Sequence, residues 1–174
     1  MRGTMKMARR CILAAALLGA GPALAQDYRQ GNEWIPASNG GIPPRDVVLG
    51  GNENNGQPLF ICSARYNEGR HPGKIRPGFN GCNIPWGGRE ITVPDYEVLV
   101  HEHRYGWIPA ENGGIPGGAV PGGGEHGHFL FICHAEFEGG VHPGKLASEF
   151  GGCNIPYGGK EITVRSYGVL VHRR

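Results

Sequence analysis

Apolar and polar positions alternate along most of this chain. In Phe129–Phe137, residues Phe131, Cys133, Ala135 and Phe137 share one face, and Leu130, Ile132, His134 and Glu136 share the other. Phe60, Cys62, Ala64 and Tyr66 repeat the first of these faces earlier in the chain, and Cys82, Ile84 and Trp86 alternate in the same way, as do Cys153, Ile155 and Tyr157. A period of two, carried by aromatic and β-branched residues between Gly and Pro clusters, is the signature of short strands. Tyr96-Glu-Val-Leu-Val100 and Tyr167-Gly-Val-Leu-Val171 read as two further strands. The pattern predicts an all-β protein of short strands joined by long Gly/Pro-rich loops.

The pattern is written twice. Trp34-Ile-Pro-Ala-Ser-Asn-Gly-Gly-Ile-Pro43 returns as Trp107-Ile-Pro-Ala-Glu-Asn-Gly-Gly-Ile-Pro116. Leu59-Phe-Ile-Cys62, His71-Pro-Gly-Lys74, Gly81-Cys-Asn-Ile-Pro85 and Glu90-Ile-Thr-Val93 all return in order, the last as Glu161-Ile-Thr-Val164. The offset is 73 residues before the loop at Asn52–Asn55 and 71 after it, which we read as one surface loop shortened by two. Two copies are too few for a solenoid and suit a pseudo-symmetric pair, since neither half alone buries much core. We place the first repeat at 26–106 and the second at 107–174.

Composition changes the picture at the amino terminus. Met1–Arg10 carries four basic residues and no acidic one, Cys11–Ala20 is a short apolar run, and Ala23-Leu24-Ala25 offers small residues before Gln26. That layout is a secretory signal peptide over 1–25, with a run too short to span a bilayer. The reading implies a secreted or periplasmic protein with no membrane span. Four of the 17 basic and none of the 15 acidic residues lie in this leader, so the remaining chain has a net charge of −2. A chain with no basic stripe is poorly suited to nucleic acid, whose binding rests on phosphate neutralisation. The 32 Gly and 14 Pro also exclude a helical bundle.

Four cysteines remain past the leader: Cys62, Cys82, Cys133 and Cys153. An even number in an exported chain favours disulfides, and spacing alone leaves three pairings open. We expect Cys62–Cys82 and Cys133–Cys153, because both members of each pair lie on the apolar face of their strands and the two repeats then stay equivalent. His101 and His103, like His126 and His128, stand close together, but neither pair has the spacing of a closed zinc site, and no metal or cofactor is expected. His71 and His142 recur beside Pro-Gly and read as turn residues. There is no G-x-S-x-G elbow, Walker loop or H-E-x-x-H. Glu90 and Glu161 occupy the same position in both copies, which fits two equal structural roles better than a distinct acid and base. No enzymatic activity is expected.

Taken as an ordered set, W-x-P-A-x-N-G-x-I-P, L-F-I-x-x-A, P-G-K, I-P-[WY]-G-G-x-E and Y-x-V-L-V resemble the DM-nine repeat family over Trp34 to about Val171. Relatives in that family include bivalve mannose-binding lectins and natterin-like proteins. The resemblance implies two twisted antiparallel β-units, a sugar site on each, a homodimer, and mannose-type glycans as partners. It implies sugar contacts from an acidic residue after the glycine pair and from the lysine of P-G-K. Here these are Glu53 and Lys74, then Glu125 and Lys145, with Glu125 one residue closer to its following strand than Glu53. A carboxylate accepts from vicinal hydroxyls while an ammonium donates to them. The alternative is a non-catalytic structural or protein-interaction module that uses the strand surface instead.

Overall fold

The structure, a computed structural model, describes residues 31–101 and 105–173. The predicted leader over 1–25 lies outside them. The described residues form an all-β fold, in fourteen strands. In the first repeat these are β1 (Glu33–Ser38), β2 (Leu49–Asn52), β3 (Pro58–Tyr66), β4 (Gly69–Ile75), β5 (Cys82–Trp86), β6 (Arg89–Val93) and β7 (Asp95–Val100). The second repeat returns them as β8 (Tyr105–Glu111), β9 (Pro121–Glu125), β10 (His128–Phe137), β11 (Gly140–Leu146), β12 (Cys153–Tyr157), β13 (Lys160–Val164) and β14 (Ser166–His172). No helix of the described residues is long and apolar enough to cross a membrane.

Turn chemistry sets the local path. Asn39 and Gly40 take φ of 50° and 83°, as Asn112 and Gly113 take 52° and 84°. Two successive positive φ values favour Asn-Gly, because Asn tolerates the left-handed region and Gly enters it freely. The connection between β4 and β5 leaves no space there either: a Cβ on Gly40 would lie 2.0 Å from the Phe79 carbonyl oxygen.

The two repeats interlock. β3 pairs with β2 and β4, and β10 with β9 and β11. The copies then join at both open sides: β2 meets β11 at Asn52↔Val141, and β4 meets β9 at Arg70↔Gly124. Six strands thereby close a ring made half from each repeat. A third junction, β6 to β13 at Arg89↔Lys160, ties the outer hairpins. Ring closure removes the edges that β2, β4, β9 and β11 would otherwise expose.

The core follows this architecture in three parts. Trp34, Val48, Ile61 and Leu99 from one repeat pack with Val120, Ile132 and Leu170 from the other in a shared centre. Each repeat also has its own cluster, around Cys62, Ile75, Ile84 and Val98 in the first and Cys133, Leu146, Ile155 and Val169 in the second. The alternation along β3 and β10 therefore serves two cores, Ile61 and Ile132 facing the shared centre while Cys62 and Cys133 face inward within their repeat. Disulfides join Cys62 to Cys82 and Cys133 to Cys153.

The structure corrects the alignment of the copies. Val48 N–H donates to Leu99 and Val120 N–H to Leu170, so Val48 matches Val120 at an offset of 72. Gly51 faces Leu59 as Gly123 faces Leu130, which carries the same offset through Glu53 and Glu125. The shortening is thus two single deletions, one on either side of β2, and not one two-residue loss. Glu125 is the direct counterpart of Glu53.

Candidate ligand site at the repeat junction

His71-Pro-Gly-Lys74 and His142-Pro-Gly-Lys145 are strand segments of β4 and β11, not turns. Glycine is needed for close approach: a Cβ on Gly73 would lie 2.1 Å from the Asn83 carbonyl oxygen, and one on Gly144 would lie 2.1 Å from that of Asn154. That approach draws β5 and β12 onto the lysine strands, with Lys74 opposite Asn83 and Lys145 opposite Asn154. The turn reading of the residues beside Pro-Gly is overturned, and the lysines that follow lie inside the fold. Both are 3% exposed.

Around each lysine lies a ring of charged and polar groups. Lys74 Nζ stands 3.9 Å from Glu90 and 3.3 Å from His142 Nδ1, and 5.4 Å above the Tyr157 ring. Lys145 Nζ stands 3.6 Å from Glu161 and 3.8 Å from Glu125, and 5.4 Å above Phe150. Glu53 reaches Arg76 at 3.4 Å and His142 Nδ1 at 4.0 Å. The four residues expected to hold sugar thus fall into two clusters, each completed by a histidine from the other repeat. Burial lowers the Lys74 pKa, opposed by the charges of Glu90 and Glu53.

Glu90 and Glu161 bind the fold together in equivalent ways, as their matching positions imply. Glu90 accepts from Asn83 Nδ2 at 2.9 Å and from the Gly159 amide at 2.8 Å, across the repeats. Glu161 accepts from Asn154 Nδ2 at 3.0 Å and from the Gly88 amide at 2.8 Å. Their charge also neutralises the buried lysines, a role that equal spacing in the two copies did not reveal.

His71 and His142 are the residues sequence reading missed. Each is essentially buried and hydrogen-bonds through Nε2 to a backbone carbonyl, Tyr66 at 3.1 Å and Phe137 at 3.2 Å. A carbonyl only accepts, so Nε2 carries the proton and Nδ1 is the lone-pair acceptor of the neutral ring. For His142 that acceptor faces Lys74. For His71 it faces Glu125 Oε2 at 3.4 Å, one acceptor against another. Neither buried atom receives a hydrogen bond from the protein. Among the other histidines, His126 lies 3.5 Å from Glu125, His101 packs near Tyr105, and His103 lies outside the described residues.

Desolvation first, then the Lys145 charge, pushes the His71 pKa down from 6.5 to about 4. Burial and Lys74 lower that of His142 in the same direction. The unfolded chain therefore takes up protons that the folded chain refuses. Stability from this source is complete above pH 6.5 and is lost as the pH falls towards 4. For His71 alone the loss is about 3 kcal/mol. Urea unfolding at pH 7.5 and pH 4.5 tests this, with His71→Gln expected to flatten the dependence. An equal pH response in the variant would contradict it.

The family model of the DM9 repeat matches residues 23–93 and 72–164. Among solved structures, the chain is similar to the nematode sperm cell motility protein MFP2B, at 18% identity and a TM-score of 0.63. The match covers 82% of this chain and 46% of that one, and at this identity it speaks for the fold. No curated protein matches.

Proposed function

Since the chain belongs to the DM9 repeat family, we propose that it is an exported, non-catalytic carbohydrate-binding protein with one site per lysine cluster. The observation that supports this most is the pair of unfilled acceptors at His71 Nδ1 and Glu125 Oε2. Once the Glu125 side chain swings out on its exposed flank, two adjacent hydroxyls of a pyranose donate to such a pair while their oxygens accept from Lys145. Glu125 keeps an exposed flank at 22%, from which a sugar edge enters. In the other cluster Lys74 already donates to His142 and Arg76 holds Glu53, so hydroxyls must compete there with protein groups. The Glu125–Lys145 cluster is the stronger site on this reading.

Mannose-type glycans are the ligand class the family suggests. Two weak sites on one chain gain avidity on a polyvalent surface by about 10²–10⁴-fold when both engage. Two disulfides suit an oxidising compartment outside the cytosol.

The test is binding to immobilised mannan by the chain from Gln26 onward. Glu125→Gln keeps the shape and removes a charge-assisted acceptor, so affinity should fall about tenfold. Glu53→Gln should cost less, because Arg76 already occupies that carboxylate. A glycan array on which the folded protein binds nothing would sink the lectin reading. It would favour the protein-interaction module, a reading that the likeness to a motility protein keeps in view.

A further inference from the structure

The two repeats differ most sharply on the face of β3 and β10 that carries Ser63 and His134. In the first repeat Ser63 pairs with Glu97 across β7, and Arg70 Nη1 meets Glu97 at 2.8 Å and the Ser63 carbonyl at 3.3 Å. Trp34, in the shared core, is 4% exposed. In the second repeat the counterparts of Arg70, Glu97 and Ser63 are Val141, Gly168 and His134, with His134 paired to Gly168 in the same register. Loss of the ion pair and of two long side chains leaves a groove in their place. Two adjoining cavities of about 610 and 300 Å³ share Trp107, His134 and Val141 as walls.

The groove is built around an ordered ring. His134 lies flat on Trp107, centroids 3.7 Å apart and planes within 10°. Its Nδ1 donates to the Gly50 carbonyl at 2.9 Å, so Nε2 of the neutral ring is a lone-pair acceptor. Burial favours that neutral form by lowering the pKa. Gly168 is required here, since a Cβ would stand 2.5 Å from Nε2. Leu49, at 54% exposed, forms an apolar lip contributed by the other repeat. Among the described residues neither cavity has a lysine or arginine in its walls, and Glu136 is the one carboxylate.

We propose that this groove is a second ligand site, separate from the lysine clusters, which takes a small aromatic amine. The volume is that of a small-molecule pocket. Trp107, Val141 and Leu49 cover a flat apolar body, His134 Nε2 accepts an N–H, and Glu136 attracts a cation. An anionic ligand meets the Glu136 carboxylate and, among the described walls, no countercharge. The proposal does not rest on the glycan reading.

Tryptamine is the probe and indole-3-acetate its anionic control, titrated by calorimetry into the chain from Gln26 onward. Tryptamine should bind with Kd below about 1 mM and indole-3-acetate at least about tenfold more weakly. The triple variant His134→Ser, Val141→Arg, Gly168→Glu installs residues that already pack together in the first repeat. It should lose tryptamine while keeping its circular dichroism and its mannan binding. Should it fail to fold, exposed Glu136→Gln decides by itself, with tryptamine falling to the level of the neutral analogue tryptophol. Absence of tryptamine binding to the unaltered chain, or equal affinity in the folded triple variant or in Glu136→Gln, would overturn the proposal.

Discussion

Replacing all four strand cysteines by alanine should leave the chain largely unfolded at room temperature. Each disulfide spans a sequence separation of 20 residues, and closing a loop of that size stabilises by about 3 kcal/mol in the chain-entropy model. Two such losses total about 6 kcal/mol, against a typical domain stability of roughly 5–15 kcal/mol. Packing adds to the loss, because all four cysteines are fully buried. The disulfides also tie β3 to β5 and β10 to β12, the strands that flank the lysine-bearing β4 and β11. Cys62→Ala with Cys82→Ala should therefore cost about half of the total. It should also loosen the cluster around Lys74 before that around Lys145. Urea unfolding of the double and quadruple variants, with hydrogen exchange at Lys74 and Lys145, is the measurement. A quadruple variant with the unaltered midpoint would show that sheet closure alone holds the ring.

Lys145→Ala should cost about 3 kcal/mol, a large effect for a change of one charged residue. Removing one member of a buried ion pair strands its partner, a penalty of roughly 3–5 kcal/mol when burial is complete. Here Glu161 and Glu125 retain 12% and 22% exposure, which places the cost at the lower end. Lys145→Met restores most of the packing and none of the charge, so it should recover only a minor part. Adding Glu161→Gln to Lys145→Met should return about 1–2 kcal/mol, since the stranded charge goes with it. Thermal and urea unfolding of this double-mutant cycle test the assignment. A loss under about 0.5 kcal/mol would mean that the lysine behaves as a surface residue. The stability effect bears on glycan experiments, where loss of binding in a lysine variant has two causes, and the glutamine variants at Glu53 and Glu125 separate them.

Much of the fold was legible because its signals are local. Alternation identified β3, β5, β10 and β12. Gly and Pro clusters marked the breaks between strands, and the doubling of the motifs selected the disulfides by requiring equivalent copies. The motif set also brought Glu53, Lys74, Glu125 and Lys145 into view, and the structure groups them as two clusters. What it places beside them, His71, His142, Glu90 and Glu161, was visible in the repeats but carried no sign of its partners. A histidine before Pro-Gly reads the same whether it shapes a turn or faces a carboxylate from the other repeat. The burial of Lys74 was equally hidden. Pro-Gly-Lys is turn chemistry by composition, and only the Asn83 backbone lying against Gly73 makes it a strand with its lysine inside.

The amino-acid sequence by itself determined the all-β class, the two-fold repetition, the strands that alternate cleanly (β3, β5, β10 and β12) and the cysteine pairing. Each depends on side-chain period, turn propensity or internal equivalence, which a chain carries residue by residue. The tertiary structure alone decided how the copies join. A strand pattern states that a face is apolar but not which copy will cover it, and the crossing pairs β2–β11, β4–β9 and β6–β13 lie far apart in sequence. Those crossings bring His71 to Glu125 and His142 to Lys74. They also turn the replacement of Arg70, Glu97 and Ser63 by Val141, Gly168 and His134 from three scattered differences into one open groove. Sites of this kind arise from closing the ring, because the electrostatics of a buried charge depend on neighbours that only closure supplies.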